Sequence, residues 1–63
     1  MARGAKEISM PYCDPNRKSV WTLAIRTNTM VEYIRFPAAD GETDEQVFRR
    51  AAETRAWLME FVA

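Results

Sequence analysis

Two runs rich in β-branched and aromatic residues, 19–27 and 30–36, are separated only by Asn28-Thr29. A connection of two residues joins neighbouring strands as an antiparallel hairpin and fixes their register. With Thr27 facing Met30, Ile25 faces Glu32, Leu23 faces Ile34 and Trp21 faces Phe36. One face of the hairpin is then apolar apart from Glu32. The other carries Val20, Thr22, Ala24, Arg26, Val31, Tyr33 and Arg35, a mixed surface suited to water or to a partner. Asn-Thr is a weaker turn than Asn-Gly, and a slip of one residue would exchange the two faces.

An apolar sheet face needs a cover, and the sequence supplies one downstream. Thr43-Asp44-Glu45-Gln46 fits a capping box, with Thr43 as N-cap and Gln46 reaching back to it. Asp44 and Glu45 lie where carboxylates favour the positive end of the helix dipole. From Val47 to Val62 there is no Gly or Pro, so a helix is expected over 43–62. At about 100° per residue, Val47, Ala51, Leu58 and Val62 form one stripe that would lie on the hairpin. Upstream, residues 1–18 read as irregular chain or an edge strand: Ile8, Met10 and Tyr12 alternate, but Pro11 lacks an amide donor. The expected fold class is α+β, a small antiparallel sheet of two or three strands packed against one C-terminal helix. A single domain over 1–63 is expected, with its hairpin at 19–36.

The only cysteine is Cys13 and there is no histidine, so an internal disulfide and the commonest metal sites are excluded in this chain of 63 residues. A core this small supplies about 3–5 kcal/mol, which leaves self-association or a bound partner as the remaining staple. Cys13 has no base beside it in sequence and reads as a small, half-buried apolar residue. No apolar run approaches the roughly 20 residues of a membrane span, and the N-terminus lacks the apolar stretch of a signal peptide, so a cytoplasmic location is expected. The zero net charge conceals polarity. Residues 1–37 hold six basic and three acidic residues and 38–63 hold three and six, an arrangement that can orient a charged partner.

Nothing in this composition assembles an active centre. There is no Gly-rich phosphate loop and no Ser or Cys paired with His, and the carboxylates of 40–45 serve capping and the helix dipole. No catalytic residue, cofactor or metal is therefore expected. Two polar residues lie in apolar stripes: Glu32 on the hairpin and Arg55 on the helix. Opposite charges on facing surfaces suggest an ion pair between them; alternatively, Arg55 lays its stem along the core and sends its guanidinium to water. Trp57 is expected roughly opposite the stripe, among Arg50 and Glu53, with Phe61 at the boundary. Trp and Arg dominate binding hot spots, so Trp57, Phe61, Arg50 and Glu53 form one candidate partner surface and Tyr33, Arg26 and Arg35 a second.

The order strand, strand, strand, helix looks like the small DNA-binding domains at integrase N-termini. That likeness implies major-groove reading by the exposed sheet face, here through Arg26, Arg35, Tyr33 and Thr22. Formal neutrality opposes it. Residues 33–56, with Phe36-Pro37, Gly41, Thr43 and Glu45 before an Ala-containing helix, are similar to the strand-loop-helix of HicB-type antitoxins, although that family's additional strand is absent. The expected function is a small non-catalytic regulator or inhibitor docking on a larger protein, of the kind phages and mobile elements encode as anti-CRISPR proteins and antitoxins. A homodimer is an accompanying expectation, and a DNA-binding domain or an assembly subunit is the alternative.

Overall fold

Thr27 supplies what the Asn28-Thr29 turn lacks. No residue of the turn has a positive φ, so the chain does not use the mirror-image turns that glycine favours. Instead the Thr27 hydroxyl accepts from the amides of Thr29 (3.3 Å) and Met30 (3.1 Å) and donates to the Met30 carbonyl (3.1 Å). The Thr27 amide closes the hairpin on the same carbonyl at 2.9 Å. A computed structural model of the chain describes residues 5–13 and 20–62. In it β1 (Glu7–Ile8), β2 (Tyr12–Cys13), β3 (Val20–Arg26) and β4 (Val31–Pro37) form one antiparallel sheet, followed by α1 (Asp44–Leu58) and a 3-10 turn, Met59–Phe61.

The hairpin has the register that its two-residue loop dictates, with Trp21 opposite Phe36, Leu23 opposite Ile34 and Ile25 opposite Glu32. β3 is central. β4 runs along one side of it, and β1 and β2 share the other. The first segment thus takes the edge-strand option, in two pieces. Ile8 pairs with Ile25 and Tyr12 with Thr22, so Ser9, Met10 and Pro11 oppose only Leu23 and Ala24. This is a β-bulge, and Pro11, without a donor, sits inside it. Ser9 holds the bulge to β3: its amide donates to the Ala24 carbonyl at 2.9 Å and its hydroxyl accepts from the Ala24 amide at 2.9 Å.

The capping box forms in both directions, Gln46 amide to Thr43 hydroxyl at 3.2 Å and Thr43 amide to Gln46 carboxamide at 2.9 Å. Ahead of it, Gly41 adopts φ 82, the left-handed conformation that glycine takes without strain. α1 lays Val47, Ala51 and Leu58 on Leu23, Ile25 and Phe36, and Ala5 and Ile8 join this core from the first segment. The α-helix ends at Leu58, short of the expected 62; its last turn tightens to 3-10, and Val62 is already extended (ψ 130) while still packing on the core. Thr22 also departs from expectation. It faces away from the helix, yet it is fully buried, flanked in register by Tyr12 on one strand and Arg35 on the other.

Candidate functional site

The expected pair between Glu32 and Arg55 does not form. Glu32 is on β4, whereas the Arg55 guanidinium turns to the opposite side of β3, where its Nε donates to the carbonyls of Ile8 (3.2 Å) and Ser9 (3.0 Å). Two strand spacings, about 10 Å, separate the two edges, so one side chain cannot serve both. The bulge creates the preference: it interrupts the pairing with β3 where β1 gives way to β2, and Arg55 reaches carbonyls at that break. Glu32 is half-buried on β4.

Trp57 is 59% exposed and meets Phe61, 47% exposed, edge to face at 5.3 Å and 70°. The sequence placed it opposite the core stripe; the helix places it on a flank. One residue separates it from buried Leu58, about 100° of rotation, and seven separate it from Arg50, which returns it to within about 20° of Arg50's direction. Arg50 marks where that flank points. Its guanidinium donates to both Glu42 carboxylate oxygens (3.1 and 3.0 Å) and to the Pro37 carbonyl (3.1 Å) and lies 5.7 Å from the Phe36 ring centre, all at the β4 side. The bond from Arg50, then the Ala39 amide at 3.0 Å, holds the Glu42 carboxyl below the usual glutamate range. Arg50 is thus the clamp of the β4–α1 loop, and the aromatic pair stands further along its flank. Glu53 is exposed on the preceding turn.

The remaining candidates occupy the opposite surface, the sheet face without a helix. Tyr33 (51% exposed) lies beneath the Arg35 guanidinium at 5.3 Å, next to exposed Val31. Arg26 forms an ion pair with Glu7 at 2.6 Å. Glu7, Ser9, Ala24, Arg26 and Val31 border a shallow depression of about 330 Å³ here. The seven candidate partner residues therefore divide into two surfaces on either side of the sheet. Sequence reasoning placed Val31 on this face without selecting it as a candidate, and it missed the backbone of β4; the signal was a strand without Lys or Pro before its last residue.

Cys13 is exposed, not half-buried. Among the described residues no group of His, Cys, Asp or Glu is placed to hold a metal ion, and no helix is long and apolar enough to cross a membrane. No family model, curated protein or solved structure matches this chain.

Proposed function

We propose that this chain is a small non-catalytic regulator or inhibitor that docks on a larger protein, with Trp57 and Phe61 as its anchor. The observation that carries this reading is the edge-to-face pair itself, two large aromatics held together outside the core. Exposing a Trp has a solvation cost that burial against a partner removes, and its few torsions lose little entropy on docking. The aromatic rings have a ready polar border in Glu53 and Glu60. An exposed aromatic pair on a compact sheet-and-helix unit suits the inhibitors of phages and mobile elements, anti-CRISPR proteins and antitoxins among them.

Nucleic-acid binding through the open sheet face is the alternative, but Arg26 there already faces a carboxylate. Salt separates the two readings: phosphate binding weakens steeply with ionic strength, while an aromatic anchor changes little. The test is Trp57→Ala, followed by thermal unfolding and by affinity for a target captured from the native host. Truncation is expected to leave the fold intact and to weaken target binding about thirtyfold, roughly 2 kcal/mol. A collapsed melting transition places Trp57 in the core, and unchanged affinity removes it from the interface.

A further inference from the structure

We infer that the outer edge of β4 pairs with β4 of a second copy, antiparallel about a two-fold axis through Tyr33. The bond from the Thr27 amide to Met30 sets the phase of the β3–β4 ladder. Antiparallel pairs alternate, so Glu32, Ile34 and Phe36 bond to β3, whereas Val31, Tyr33 and Pro37 direct their backbone groups outward. The Arg50 guanidinium on the Pro37 carbonyl agrees with this phase. Among the described residues no strand lies on that outer side. Strand edges of this length are normally blunted by charged side chains, proline or a bulge. β4 has no lysine and no proline before Pro37, the residue at its end, and its charges are Glu32 on the helix-facing side and Arg35 on the open side.

What fits this edge best is the edge itself. With the axis at Tyr33, the two Tyr33 residues exchange main-chain bonds, Val31 lies opposite Arg35 of the partner subunit, and Glu32 lies opposite Ile34 of the partner subunit. No like charges stand directly across, Pro37 falls outside the paired segment, and the chain's zero net charge opposes no copy of itself. Isologous pairing keeps both helices on one face of the joined sheet. α1 packs mainly over β3, so the helix axes stand three strand spacings apart, about 14 Å. Direct helix packing needs about 8–10 Å, so the helices do not collide. The flank of each that carries Trp57 and Phe61 turns toward the cleft between them. The pairing stands independently of the docking proposal above and gives that anchor a second, symmetry-related copy.

The test is the mass of the full chain by sedimentation from roughly 1 mM down to about 1 μM, with amide hydrogen exchange at both ends of the range. Dimer at the high end is expected, with the Val31 and Tyr33 amides slowing as it forms and returning to fast exchange on dilution. Tyr33→Pro deletes an outward donor and leaves the β3–β4 bonds in place, and it should shift the monomer–dimer midpoint at least tenfold; Val31→Lys should do so with every backbone donor kept. Should Tyr33→Pro fail to fold, exchange in the unaltered chain decides. A monomer throughout, or a dimer whose Val31 and Tyr33 amides stay fast, overturns the inference. Trp57→Ala reads the docking proposal separately, since it should lose the target and keep the dimer.

Discussion

β4 runs beside β3 for seven residues in unbroken register, whereas β1 and β2 together pair only four residues with its other side. The short edge is closed by several devices at once: a bulge, a proline within it, a serine hydroxyl replacing a backbone acceptor, and an arginine capping two carbonyls. On the long edge the described residues show the Arg50–Glu42 clamp, which lies at the Pro37 end. An edge can be made safe by using up its polar groups internally or left able to pair. Among the described residues this sheet does the first along β1 and β2, and the asymmetry is the ground for the pairing proposed above.

Core truncation gives the largest test of that difference. Ile8 on the closed edge is 4% exposed, while Ile34 on the open edge is only partly buried. Ile8→Ala should cost about 2–5 kcal/mol, the bulk of the stability such a core supplies, and Ile34→Ala no more than half as much. Urea unfolding of both variants measures this. Equal losses would mean that the core does not favour the closed side.

Arg55 is the next lever. Replacing it with Met keeps the apolar stem and leaves the Ile8 and Ser9 carbonyls without their donor, which should cost about 1–3 kcal/mol. The loss should be local, with faster exchange at the Ser9 amide and little change along β4. Uniformly faster exchange over both edges would show that Arg55 supports the whole fold and not one side of it.

The sequence made the hairpin and the helix start legible because each depends on a few adjacent residues. Loop length and side-chain alternation set the pairing of Leu23 with Ile34, and Thr43 with Gln46 sets the first turn of α1. Arg55 was recognised as an odd residue in an apolar stripe, but its acceptors were not. They exist only because Ser9, Met10 and Pro11 bulge, and a bulge depends on how two distant segments share bonds. Thr22 was read as exposed for a similar reason, since alternation assigns a face without saying what neighbouring strands lay over it. In the candidate site, Trp57 was correctly seen as exposed and its direction misjudged by roughly a quarter turn, enough to move it from the back of the helix to the β4 side.

The smallest expected effect concerns the clamp at the end of the open edge. Glu42 is held below the ordinary glutamate pKa chiefly by the Arg50 hydrogen bond and then by the Ala39 amide. Because the folded value lies below the unfolded one, its contribution is complete above about pH 4.3 and is lost as pH falls through the folded value. Acidification from neutral pH should therefore loosen the β4–α1 loop before the closed edge responds. Glu42→Gln removes the titrating group and, with it, part of the slope of melting temperature against pH below about 4.3. Above that range the variant should melt slightly lower than the parent, because a neutral amide bonds Arg50 less strongly than a carboxylate does. The comparison of edges predicts where the change is felt: Arg50 should release the Pro37 carbonyl while the Ser9 and Ala24 amides keep their protection. If Glu42→Gln left the acid slope unaltered, the clamp would not contribute to stability, and the Pro37 end of the open edge would be unguarded.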